Sequence, residues 1–153
     1  MQRAFFTAAL SAALLSSPAV WAQSITFAAP YVRAVATTSG HANTAGYVVL
    51  VNSGDKPDTL LSITSSIAPK IEVHDMVELP NGAMRMQKMD KLEIPAGGVV
   101  SLAPGGKHIM VMGVSQPLAE GENVPMTMTF EKAGPITVQF EVRSTDVVPG
   151  ASK

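Results

Sequence analysis

From "SITFAAPYVRAV" to "PITVQFEV" the chain is a succession of short runs in which apolar and polar residues alternate. A period of two is the period of a strand, because successive side chains point to opposite faces. The runs "TAGYVVLVN", "TLLSITSS", "KIEVHDMVEL", "AMRMQKM", "KHIMVMG" and "VPMTMTFE" are short period-2 segments, and all but "AMRMQKM" draw on Val, Ile or Thr. Turn residues cut them apart at "NSGDKPD", "PNG" and "APGG". Many short strands at close spacing predict an all-β, antiparallel β-sandwich. A chain of 153 residues is enough for one such domain with a real core. Only "SQPLAEG" has room for a helical turn, and "LEIPAGGVVSLAPGG" splits into two short runs at Pro and Gly.

The first 22 residues stand apart. "MQR" carries one basic residue, "AFFTAALSAALL" is an apolar core of leader length, and "SSPAVWA" ends in small residues, with Val20 and Ala22 in the −3 and −1 places. This is the layout of a secretory signal, and the apolar run is short for a spanning helix of about 20 residues. The expectation is a cleaved signal peptide over 1–22, a sandwich domain over 23–146, and a frayed tail over 147–153. The mature chain is expected in the periplasm with no membrane anchor.

Several function classes drop out. A formal net charge of −1 gives no basic footprint for nucleic acid. The absence of cysteine removes disulfides, thiolate metal sites, a cysteine nucleophile and lipoprotein acylation. No Ser/His/Asp order or paired carboxylates stand out, so the chain does not read as an enzyme. What remains is thioether, imidazole, carboxylate and hydroxyl chemistry, with nine methionines and only three histidines.

Alternation sorts those methionines into two groups. In "VPMTMTFE", Met126 and Met128 share the apolar set with Val124 and Phe130, so they read as core. In "KHIMVMG", His108, Met110 and Met112 lie opposite Ile109 and Val111, and are expected to face outward. In "KIEVHDMVEL", Glu72, His74, Met76 and Glu78 lie opposite an apolar set of Ile71, Val73, Val77 and Leu79, in which Asp75 is out of place. In "AMRMQKM", Met84 and Met86 share a side. Two of the three histidines therefore sit on methionine-bearing strand faces, while His41, in "TTSGHANT", reads as a solvated loop residue.

Imidazole and thioether together make a soft, neutral donor set. Zinc favours thiolate, imidazole and carboxylate, and calcium and magnesium favour oxygen, whereas thioether selects copper as Cu(I). Side chains two apart on a strand start from Cα atoms roughly 6.5–7 Å apart, so His108 and Met110 can reach one ion together. His74 and a methionine of "AMRMQKM" would then come from other strands.

At this point the sequence resembles a known family, the periplasmic copper chaperones called PCuAC. Their signature is His, usually followed by Met, then ten residues, Met, twenty-one residues, and His-x-Met. Here His74 and Asp75 are followed by ten residues, Met86, twenty-one residues and His108-Ile109-Met110. The spacing selects Met86 over Met84 and Met110 over Met112. The optional Met of the signature is Asp75 in this chain. "PYVRA", "LEIPAGG", "APGGKHIMVMG", "QPL" and "EGENVPMTMTFEKAG" extend the likeness over nearly the whole domain.

The resemblance implies a cupredoxin-like Greek-key sandwich. It also implies one Cu(I) per chain held by His74, Met86, His108 and Met110, and delivery toward the copper centre of cytochrome oxidase. Copper-accepting partners would be cytochrome oxidase subunit II or a thiol copper chaperone. Some members carry a His/Met-rich tail that binds Cu(II), but "STDVVPGASK" has neither residue. Two alternatives stay open from sequence: a copper buffering or tolerance protein, and a secreted interaction sandwich that transfers no metal. A blue-copper redox site is excluded by the missing cysteine.

Overall fold

The computed structural model describes residues 24–36 and 42–144. The expected signal peptide over 1–22, His41 and the tail over 147–153 lie outside the described residues. The strands are β1 (Ile25–Arg33), β2 (Ala42–Asn52), β3 (Asp58–Thr64), β4 (Lys70–Glu78) and β5 (Met84–Met89). They continue with β6 (Leu92–Ile94), β7 (Val99–Leu102), β8 (His108–Val114), β9 (Asn123–Phe130) and β10 (Gly134–Arg143). No helix forms among the described residues. "SQPLAEG" instead crosses the surface, where Leu118 exchanges backbone hydrogen bonds with Val35 at 2.9 and 3.2 Å.

The strands follow the order β5-β4-β8-β2-β1-β10-β9-β3-β6, with β7 also paired to β2. All pairings are antiparallel except β1 with β10. The path folds over on itself, so that β3 packs against β4 without a ladder between them. Its inner faces meet in one core. Val32, Leu50, Ile109, Val111, Met126, Met128, Phe130 and Phe140 are all 2% exposed or less. Met126 and Met128 are thus structural, as the alternation of β9 predicts. Each such side chain contributes roughly 1.5–3 kcal/mol by leaving water. The architecture is an all-β, cupredoxin-like sandwich.

Two irregularities let one sheet path serve both layers. β1 breaks register between Ala28 and Tyr31, where Ala29 takes φ 47° ahead of Pro30. A bulge of this kind bends and re-aims a strand. Tyr31 to Arg33 then run beside β10 as well as β2. β2, the longest strand, pairs β8 through Ala42 to Gly46 and β7 through Val48 to Val51. β8 is thereby fixed between β2 and β4, and β5 is left as the outer edge.

Candidate metal centre

The β4–β5 hairpin is set by its turn. Gly82 donates to the Leu79 carbonyl at 2.8 Å, Leu79 N–H donates to Ala83 O at 2.8 Å, and Asn81 Oδ1 accepts from Ala83 N–H at 3.1 Å. Gly82 stands at φ 80°, a conformation that favours glycine. The turn fixes the register His74 to Lys88, Met76 to Met86 and Glu78 to Met84. On its other side β4 pairs β8 with Glu72 opposite Met110 and His74 opposite His108.

His74 is therefore the centre of the constellation. His108 is its direct neighbour on β8, with ring centroids 6.0 Å apart. Met110 and Met86 are its diagonal neighbours on β8 and β5, at the roughly 7–8 Å typical of diagonal pairs. One sheet face thus carries all four residues that the spacing singles out. An open cleft beside it is lined by Met76, Met86, His108 and Met110, with Arg33, Asn43, Thr44, Ala45, Tyr47 and Gly105 completing its walls. His74 packs next to this cleft rather than in its wall.

The structure corrects two expectations of exposure. His108 keeps the face opposite Ile109 and Val111 and lines the cleft with Met110, but it is buried at 7% exposure rather than open to solvent. Val77 is not core; it is 37% exposed, because the distal half of the hairpin runs out past the second layer. Asp75, on the same side of β4, finds a partner in Lys107 at 3.0 Å. Met84 and Met86 are 52% and 46% exposed on the edge strand, while Met112 is half-buried opposite Lys70. Met89 packs against the core and has no share in the face.

The two imidazoles are held by different atoms. His108 Nδ1 lies 2.9 Å from the Gly106 carbonyl. His74 Nε2 lies 3.0 Å from Glu72 Oε2, and His74 Nδ1 is buried with no hydrogen-bond partner. The other Glu72 oxygen takes Lys70 at 3.3 Å and Lys88 at 3.2 Å, and Lys88 also meets Asp90. The His74 hydrogen bond is the main reason that the Glu72 carboxyl falls to about 2 from 4.5; burial opposes the shift, and Lys88 and Lys70 reinforce it. Glu72 and Asp90 in turn push the Lys88 ammonium upward.

Among the described residues, no three His, Asp or Glu side chains gather as a metal site. Beside the histidines the donors on this face are thioethers and the Glu72 carboxylate, and that carboxylate is already taken up by His74, Lys70 and Lys88. That donor chemistry fits Cu(I) and fits poorly the harder divalent ions.

The profile of the family described as "putative lipoprotein LpqE-like" matches residues 25–142. The chain belongs to this LpqE-like family. A putative lipoprotein of Leifsonia xyli subsp. xyli is 35% identical over 106 residues, covering 69% of this chain and 63% of that one. The chain spans about three fifths of the length of the curated relatives it matches. The family and the Leifsonia protein are described as putative lipoproteins, and the 153 residues of this chain contain no cysteine. Among solved structures, a copper-bound PCuAC domain from PmoF2 is 27% identical with a TM-score of 0.66, over 80% of this chain and 94% of that one. The Cu(I) form of DR1885 from Deinococcus radiodurans is also 27% identical, with a TM-score of 0.61 over 81% and 83%. The LpqE-like chain therefore has the PCuAC fold that its sequence resembles.

Glu72 was legible on the His74 face but carries no place in the signature; its spacing two residues before His74 is the available sign. Arg33, Asn43 and Tyr47 come from β1 and β2, far away in sequence, and the β1–β2 and β2–β8 pairings bring them to the cleft.

Proposed function

We propose that this chain is an exported, non-enzymatic copper carrier. It holds one Cu(I) through His74, Met86, His108 and Met110 and releases it to a copper-accepting protein. The observation that carries this reading is the His74–His108 pair. Two imidazoles meet across adjacent strands, each tied through one nitrogen, with thioethers as diagonal neighbours. The copper-bound relatives of the same fold support it.

The site sits where a carrier needs it. Met86 lies on the exposed edge strand, so a partner can reach the ion from solvent, while His108 and Met110 are anchored in β8. The absence of cysteine suits an oxidising compartment, the periplasm. The recipient we infer is the copper centre of cytochrome oxidase, through subunit II or a thiol chaperone.

Titration of the mature protein with Cu(I) against a Cu(I)-specific chelator tests the site. One equivalent should bind, and a His108→Ala/Met110→Ala variant should lose most of the affinity. An unchanged affinity would overturn the ligand assignment. Incubating the loaded protein with apo subunit II tests delivery; copper that stays on the carrier in the presence of that acceptor would favour buffering.

A further inference from the structure

We propose that Glu72 is a positioning residue that sets the tautomer of His74, so that His74 meets Cu(I) through Nδ1 while His108 meets it through Nε2. This rests on the copper-carrier reading and assigns the nitrogen that each ring presents.

The argument is one of donors and acceptors. A carboxylate only accepts hydrogen bonds, so the 3.0 Å contact requires the proton of His74 on Nε2. Its Nδ1 is then a bare lone pair, and it is the buried atom that has no partner. A second proton there would be a buried, unsatisfied donor, which is costly. The Gly106 carbonyl also only accepts, so His108 carries its proton on Nδ1 and leaves Nε2 bare. Two rings facing each other across one strand pair thus present unlike nitrogens. Hydrogen bonds from the far nitrogen of a ligating imidazole orient it and raise its basicity.

The lysines complete the device. Lys70 and Lys88 both hold Glu72 Oε1, which leaves Oε2 for His74. Both ammonium groups are donors only. In a Glu72→Gln variant they would claim the amide oxygen and turn the NH₂ group toward His74 Nε2. That donor would displace the ring proton to Nδ1, the nitrogen meant for copper. The variant keeps the shape of Glu72 and inverts the tautomer.

The test is long-range ¹H–¹⁵N NMR on protein with ¹⁵N-labelled histidine, first metal-free at neutral pH, then with Ag(I) as a diamagnetic substitute for Cu(I). The metal-free protein should show His74 protonated on Nε2 and His108 on Nδ1. Silver should perturb and couple to His74 Nδ1 and His108 Nε2. Glu72→Gln should show His74 protonated on Nδ1 and a Cu(I) affinity about 10–100-fold lower. Adding Lys70→Met and Lys88→Met to that variant frees the amide to turn its oxygen inward, and should restore both the tautomer and most of the affinity. Silver on His74 Nε2, or a Glu72→Gln variant with full affinity, would overturn the proposal and leave the carrier reading standing. The expected tautomers in a protein that takes neither Ag(I) nor Cu(I) would instead overturn the carrier reading, and the proposal with it.

Discussion

Met76 and Met86 stand directly opposite each other across β4 and β5, but they do not share an environment. Met76, on β4, is half-buried, whereas Met86, on the edge strand, is 46% exposed. Both line the cleft with His108 and Met110. The proposed copper ligands therefore form a gradient, from a buried imidazole on β8 to an exposed thioether on β5. An ion entering or leaving along that gradient meets Met86 first.

Oxidation should follow the same gradient. Limited peroxide treatment converts accessible methionine to sulfoxide, which is a poor soft ligand. Met84 and Met86 should oxidise first, and Met126 and Met128, fully buried, last. Cu(I) loading should protect Met86 and leave Met84 reactive. Peptide mass spectrometry at several exposure times reads this directly; equal protection of Met84 and Met86 would mean that both bind the ion.

Single substitutions should separate ligand from bystander. Met110→Leu keeps the packing of β8 but removes a thioether, and Cu(I) affinity should fall by at least about tenfold, or about 1.4 kcal/mol. Met112→Leu and Met84→Leu should change it little, since the spacing and the cleft both leave Met112 out and Met84 lies beyond Met86. Chelator competition under reducing conditions measures all three. A large loss in Met112→Leu would move the site one step along β8.

Strand periodicity made most of the fold legible. Val124, Met126, Met128 and Phe130 are buried as their alternation requires, and so are Ile109 and Val111. The same rule placed His74, Met86, His108 and Met110 on strand faces, and register puts those faces together. It failed where burial depends on distant chain. His108 is buried in the wall of the cleft, and Val77 is uncovered because the hairpin outruns the second layer. Alternation reports which side a residue faces, and only the tertiary arrangement decides what lies on that side. The Glu72–His74 hydrogen bond was beyond reach for the same reason: two residues apart is close enough, but the lysines that hold the carboxylate come from both β4 and β5.

Away from the site, Asp58 should matter for stability alone. It is buried and accepts from three backbone N–H groups: Thr59 at 2.7 Å, and Lys132 and Ala133 at 2.9 Å each. It thereby ties the start of β3 to the β9–β10 turn. Asp58→Ala leaves those donors without a partner and should cost about 3 kcal/mol or more. Urea unfolding measures the loss. Cu(I) affinity of the folded fraction should stay as in the parent chain, because Asp58 lies on neither β4, β5 nor β8.

The Glu72 cluster should give stability a specific pH signature. The carboxyl titrates at about 2 in the folded chain against 4.5 ordinarily, chiefly through the hydrogen bond from His74. Between those values the unfolded chain binds the extra proton, so stability falls as pH falls. The contribution is complete above about 4.5 and fades as pH approaches 2. Glu72→Gln removes the charge at every pH, so it should be less stable than the parent at neutral pH, and the gap should close below pH 4.5. The groups facing Glu72 are His74, Lys70 and Lys88, the last shared with Asp90, and all four remain in the variant. Other carboxylates titrate alike in both proteins and cancel in the difference. Metal-free thermal melts of the two proteins from pH 7 down to pH 2 measure it; a gap that stays constant across that range would mean that the ion pairs around Glu72 contribute nothing to folding.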